Sequence, residues 1–231
     1  MPLIDSLSPR QRLLSDETAC DDGSALKASQ HRQWQQDIRA WANRAEISAR
    51  LARHLIPVAV LDDRLDTVTT DGRHLFFNAR FAATLRLAER HFITAHLVWH
   101  CVCGHIVAQP HRDTLRWNLA CEHEANYLVL LEGLRLPQDA VFYFSQAGRN
   151  NGQVYDWLAA HPHPQHDHHF DHHPLDMPRD HGEVIRVDPD YAPLDADDIL
   201  AAWWLAQAQR ERLAKPLRIY LAKRAMSNGI G

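Results

Sequence analysis

Residues 96–105 read HLVWHCVCGH, with histidines at positions 96, 100 and 105. They sit in a run from about Leu87 to Gln109 whose length and apolar content predict a helix that stops at Pro110. On a helix His96 and His100 are one turn apart and project from one face, so both imidazoles can reach a single ion. The same spacing also suits an amphipathic core helix carrying two hydrogen-bonded histidines. The following segment favours the ion.

Residues 117–127, WNLACEHEANY, fall in a second predicted helix covering about Thr114 to Leu131, with Gly133 as its end signal. Asn118, Glu122 and Asn126 share one stripe, i, i+4 and i+8. An isolated stripe of this kind is a solvated polar edge. Here only a few residues join the two helices, so they are expected to pack as an antiparallel hairpin that sets Glu122 opposite the histidine face. Two neutral imidazoles and a carboxylate form a three-ligand zinc site with an open fourth position, the pattern of catalytic zinc.

Upstream, Trp34, Ile38, Trp41, Ala45, Leu51 and Leu55 recur at three- and four-residue steps. They predict an amphipathic helix from Ser29 to Leu55, stopped by Pro57. VAVL and DTVTTDGRHLFF then alternate like strands, and Asp71-Gly72 supplies a hairpin turn. Downstream, VFYF is a candidate strand and GQVYDWLAA a brief helix. Residues 161–182 are low-complexity and rich in Pro, His and Asp. EVIRV is a further candidate strand. The stretch DADDILAAWWLAQAQRERLAK predicts an acid-capped helix interrupted or ended near Pro216.

The composition, 45% hydrophobic and 23% charged over 231 residues, is that of a soluble chain able to bury a core. A net charge of −4 without a dense Lys/Arg run excludes the electrostatic footprint of a nucleic-acid binder. Apolar stretches such as ILAAWWLA fall short of the roughly 20 residues that span a bilayer. The N-terminal MPLIDSLSPR has no signal-peptide pattern. Cys20, Cys101, Cys103 and Cys121 show no disulfide-like spacing. Reduced thiols and a cytoplasmic location are therefore expected.

Four stretches together resemble one family: TVTTDGRHLFFNARF, HLVWHCVCGH, RWNLACEHEANYLVLLEGLRLP and QVYDWL. It is the bacterial "putative metallopeptidase" domain of the zincin-like kind, often found ahead of a von Willebrand A-like domain. Its pattern has a short hairpin ending in Asn, a helix of the form HExxHxxxxH and a helix of the form WNxAxDxxxN. The resemblance covers about residues 30–160 and, more weakly, the last helix. It implies a zinc-binding peptidase fold with His96, His100 and Glu122 as ligands and a peptide or protein as substrate or partner.

Two departures bear on chemistry. Glu122 stands where the family usually has aspartate, which preserves a carboxylate. Leu97 stands where HExxH enzymes keep the glutamate that accepts a proton from zinc-bound water, and such acid–base help is worth roughly 10²–10⁴-fold. Glu124 is about 200° around the helix from Glu122, and Glu89 lies about 10 Å away along the helix, so neither substitutes readily. His105 is about 140° off the face of His100 in an unbroken helix. Gly104 could loosen that turn and make His105 a fourth ligand or an oxyanion stabiliser, the one candidate for a catalytic role. A buried histidine at a helix end is the alternative. Cys103 shares the His96/His100 face and is either a ligand or a small buried apolar residue.

These readings give an α+β, helix-dominated, zincin-like domain with a small antiparallel sheet. The expected organisation is a flexible N-terminal segment (1–28), the metallopeptidase-like domain (29–160), a flexible His/Pro/Asp-rich insertion (161–182), and a C-terminal strand and helices packing on the same domain (183–231). One zinc site is expected, with weaker divalent metals on the histidine tract. The leading function is a zinc-binding metallopeptidase-like protein with weakened or altered hydrolysis. The competing functions are a non-enzymatic protein-interaction module with a structural zinc, and a metal storage or delivery protein using the tract.

Overall fold

The computed structural model describes residues 23–161, except 63, 108 and 110, and residues 195–227. Helix α1 (Gly23–Trp41) leads through α2 (Ile47–Leu51) and a 3₁₀ turn (Ala52–His54) into strand β1 (Ile56–Val60). Strands β2 (Val68–Thr70) and β3 (His74–Asn78) follow, then the short α3 (Ala79–Thr84). The two long helices are α4 (Leu87–Val102) and α5 (Thr114–Leu131). A 3₁₀ turn (Phe144–Gln146), α6 (Asn151–Ala160), α7 (Asp195–Arg210) and α8 (Lys215–Ser227) complete the described residues. The architecture is α+β and helix-dominated, as expected. The candidate strand EVIRV, most of the histidine tract and residues 1–22 lie outside the described residues. No helix among those described is long and apolar enough to cross a membrane.

Helix α4 is the axis of the fold. Every residue from Phe92 to Val102 is buried, with no polar face turned to solvent. A helix apolar nearly all round must be covered on all sides, and α1, α2, α5 and α7 pack on it. Arg90 and Thr94 are answered inside the protein. Arg90 donates to Asp37 at 2.6 Å and to the Leu85 carbonyl at 2.5 Å. Thr94 accepts from the Trp34 indole at 3.1 Å.

The sheet differs from the expected antiparallel one. Its order is β1-β3-β2, with β3 antiparallel to β2 and parallel to β1. The Asp71-Gly72 turn makes the predicted hairpin between β2 and β3. Gly72 takes φ 85°, Asp71 Oδ1 accepts from the amides of Arg73 and His74, and Gly72 N–H donates to Thr70 Oγ1. With β2 holding one edge of β3, β1 pairs with the other edge and runs the same way. The Gly72 carbonyl also accepts from Trp204 of α7 at 2.8 Å, and a Cβ at Gly72 would meet Leu200 and Ile106 within 3 Å.

Two helices depart from the sequence expectation, and a third shows the interruption expected near Pro216. The predicted Ser29–Leu55 helix begins at Gly23 and breaks after Trp41, resuming at Ile47. The break is held from far away: Glu132, just past α5, accepts from Ile47 N–H (2.6 Å), Ser48 N–H (3.0 Å), Ser48 Oγ (2.5 Å) and Trp99 Nε1 (3.0 Å). A carboxylate at a helix N-terminus satisfies amides that the helix leaves open. The predicted helix to Gln109 stops instead at Val102, where Gly104 turns left-handed (φ 68°) and the His105 amide returns to the His100 carbonyl at 2.9 Å. Pro216 lies in the first turn of α8, where proline is tolerated, and so opens a new helix after the one that ends at Arg210. The VFYF segment is irregular, with Phe144 entering the 3₁₀ turn. Helix α5 keeps its predicted bounds, and α6 forms where GQVYDWLAA predicted a brief helix.

Glu132→Ala removes all four of these hydrogen bonds at once and is expected to cost roughly 2–4 kcal/mol in urea unfolding. A loss below about 0.5 kcal/mol, no more than an ordinary surface substitution, would show that α2 holds its place without this carboxylate.

Candidate metal centre

Helix α4 places His96 and His100 one turn apart, and α5 brings Glu122 against both. His96 Nε2 and His100 Nε2 lie 3.0 Å apart. Glu122 Oε2 is 3.3 Å from His96 Nε2, and Glu122 Oε1 is 3.2 Å from His100 Nε2. All three side chains are buried. The whole stripe on α5 is buried too, so it is not a solvated edge: Asn118 and Asn126 are inside, and Asn126 Nδ2 donates to the Val141 carbonyl at 3.0 Å.

The triad can be tested against zinc on distances alone. Two ligands bound at about 2.05 Å and the tetrahedral angle stand about 3.3 Å apart. The observed edges of 3.0–3.3 Å match that separation. Two imidazole nitrogens and a carboxylate are also the donors such a site requires. These three residues could hold a metal ion.

His105 is drawn to the centre by the Gly104 turn, but it meets the Nδ1 side of His100, away from the Nε2 atom that faces Glu122. Its Nδ1 is 3.2 Å from His100 Nδ1 and its Nε2 is 3.0 Å from Glu124 Oε2, so both ring nitrogens are engaged. Glu124, pointed away from Glu122 by the helical twist, is wholly buried. Its Oε1 accepts from Tyr220 Oη and Arg224 Nε, both at 2.7 Å, and its Oε2 also accepts from the Asn151 amide at 3.0 Å. Arg224 reaches further, to the Cys103 carbonyl at 2.5 Å.

Cys103 therefore belongs with His105 and Glu124, a second cluster of metal-type donors within 4.8 Å of one another. That cluster already contains its cation, the Arg224 guanidinium. Burial pushes the Cys103 thiol well up, which keeps it protonated and a poor ligand. Burial alone would raise the carboxyl of Glu124, but Arg224 and the His105 hydrogen bond outweigh it and hold Glu124 well below the usual carboxylate range. Burial lowers the His105 imidazole, against the opposing pull of Glu124. Cys101 and Cys121 are buried thiols beside Thr70 and Asn151.

Leu97 is fully buried in the main apolar core. Near the triad, Tyr143 is buried and its phenol is pushed up to about 12 by burial and by the charge of Glu122. His123 is stacked on Phe142 and Tyr143, with Nε2 3.1 Å from the Gln146 carbonyl and Nδ1 accepting the Tyr143 amide at 3.1 Å. Sequence reasoning missed Tyr220 and Arg224, which meet Glu124 across about a hundred residues of chain. Nothing in their local pattern marks them.

A family model described as "Putative metallopeptidase domain" matches residues 29–200. No curated protein and no solved structure matches the chain.

Burial lowers His123 from 6.5 to about 4. The unfolded chain therefore takes up this proton first as pH falls, and the stability present above pH 6.5 is lost progressively toward pH 4. The loss is worth about 3 kcal/mol at most. His123→Gln, which keeps a donor and an acceptor but does not titrate, is expected to flatten urea-unfolding stability across this window in chelator-containing buffer. An unchanged pH profile would show that His123 is not the group responsible.

Proposed function

The chain belongs to the putative metallopeptidase domain family, and we propose that it is a zincin-like member that binds one zinc ion through His96, His100 and Glu122 but has little capacity for ordinary peptide hydrolysis. The carrying observation is the pairing of a triad with tetrahedral zinc spacing and a leucine at position 97, buried in the apolar core. Zinc held there would supply a Lewis acid able to polarise a carbonyl or acidify a water. The chain's own part is to hold three donors together in a desolvated site, with both imidazole Nε2 atoms directed at Glu122.

Among the described residues, the ionisable groups beside the triad do not take over the missing base. Glu124 is committed to Arg224, Tyr220, Asn151 and His105. His105 spends both nitrogens between His100 and Glu124, which makes it a positioning residue rather than a catalytic one. The phenol of Tyr143, raised to about 12, is no base at neutral pH. The described residues therefore offer no source for the general acid–base contribution of roughly 10²–10⁴-fold. The burial of all three ligands also favours a second reading, a non-enzymatic module in which zinc braces α4 against α5.

Wild-type protein is expected to hold one tight zinc that His100→Ala loses. Chelator should lower its melting temperature by several degrees, and hydrolysis of an unstructured protein substrate should be near background. Leu97→Glu is expected to lower the melting temperature, because an unpaired carboxylate in this core costs several kcal/mol. A folded Leu97→Glu with zinc-dependent hydrolysis well above wild type would show that only the glutamate is missing. Vigorous chelator-sensitive hydrolysis by the wild type, or equal metal content in wild type and His100→Ala, would overturn the proposal.

A further inference from the structure

The last helix, α8, lies beyond the residues the family model matches, which end at 200. Yet it supplies two of the four donors that meet the buried carboxylate of Glu124. Resting on the reading that the triad holds zinc, we propose that Tyr220 and Arg224, acting through Glu124 and His105, set the tautomer of His100 and thereby the metal affinity of the centre.

Donors and acceptors along the buried chain must alternate. Glu124 receives Tyr220 O–H and Arg224 Nε–H on Oε1, and the Asn151 N–H and His105 Nε2 on Oε2. A carboxylate paired with arginine and meeting three further groups is an acceptor only. His105 must then carry its proton on Nε2. Neutral His105 has a bare Nδ1, and the group 3.2 Å from it is His100 Nδ1. One of two facing nitrogens must donate, so His100 carries its proton on Nδ1. That leaves the lone pair of His100 Nε2 directed at Glu122 and His96, where a metal ligand needs it. Every link is buried, so water offers no substitute partner for a broken one.

The opposite tautomer makes the consequence concrete. With an amide N–H₂ facing His105 Nε2, as Glu124→Gln allows, His105 would become an acceptor there and a donor at Nδ1. His100 would then take its proton on Nε2 and be barred from ligation. If the amide turned the other way, its N–H₂ would face Arg224 and Tyr220 instead, breaking the link to α8. Either orientation disturbs the relay.

The test uses the full chain and three readouts: zinc affinity by chelator competition, the visible spectrum of the cobalt(II)-loaded protein, and the ¹⁵N shifts of the His100 ring in metal-free protein. Signal from the histidine tract is removed by difference against His100→Ala. Wild type should show His100 protonated on Nδ1 without metal. Glu124→Gln and Arg224→Gln should weaken zinc at least about tenfold, alter the cobalt spectrum and change the His100 ring shifts. Tyr220→Phe, which removes one hydroxyl and keeps the packing, should weaken zinc by a smaller factor in the same direction. It serves where the other variants do not fold. Arg224→Lys, which keeps the charge, should recover part of the affinity.

If wild type binds no zinc that depends on His100, the underlying reading fails. If wild type binds zinc tightly and the folded variants match it in affinity, spectrum and ring shifts, only the relay is overturned.

Discussion

The central helix carries two buried imidazoles, His96 and His100, through the middle of the core, where a polar group is costly unless the protein answers it. That requirement organises the protein around α4. His96 and His100 turn their Nε2 atoms to Glu122, and His100 turns its Nδ1 to His105. His105 passes the requirement to Glu124, and Glu124 to Arg224 and Tyr220 of the last helix. Breaking such a chain is costly, because a buried polar group left unanswered costs about twice what a typical net hydrogen bond contributes.

The same logic recurs at the margins of the core. Arg90 on α4 is answered by Asp37 of α1 and by the Leu85 carbonyl, and Glu132 gathers the start of α2 and the Trp99 indole. In both cases an ionisable side chain, buried in Arg90 and half-buried in Glu132, ties together elements that are far apart in sequence. The apolar bulk of α4 supplies the driving force for covering it. These polar contacts decide in which orientation the covering helices sit.

At position 97 packing and chemistry meet. A leucine there adds to the apolar core on which α4 depends, and its side chain has no solvent exposure. A peptidase instead keeps an ionisable group beside its first histidine, which must be hydrated or paired. The described residues thus retain metal-type donors at metal-like spacing while the proton acceptor's place belongs to the core. That combination is what sets metal binding apart from hydrolysis in the proposed function.

Much of this was legible in the residues alone. The His96/His100 spacing, the Glu122 stripe, the Asp71-Gly72 turn and the bounds of α5 all follow from local periodicity and backbone chemistry, which short windows of sequence contain. The family resemblance rested on the same windows, and it held. Other features depended on partners far away in the chain. The break before α2 is held by Glu132, some 85 residues on, and no window around Trp41 contains that carboxylate. The parallel pairing of β1 depends on the fold as well, because the free edge of β3 can accept a strand running either way. His105 could be placed near the centre from Gly104, but its engagement with His100 and Glu124 required the fold. Arg224 and Tyr220 carried no local signal, since a charge and a phenol on a C-terminal helix look like surface residues until burial gives them a partner. Sequence determined which donors line up on each helix, because that is a matter of 3.6 residues per turn. Tertiary structure decided how they are paired, because a buried polar atom must take its partner from whatever the packing brings within about 3 Å.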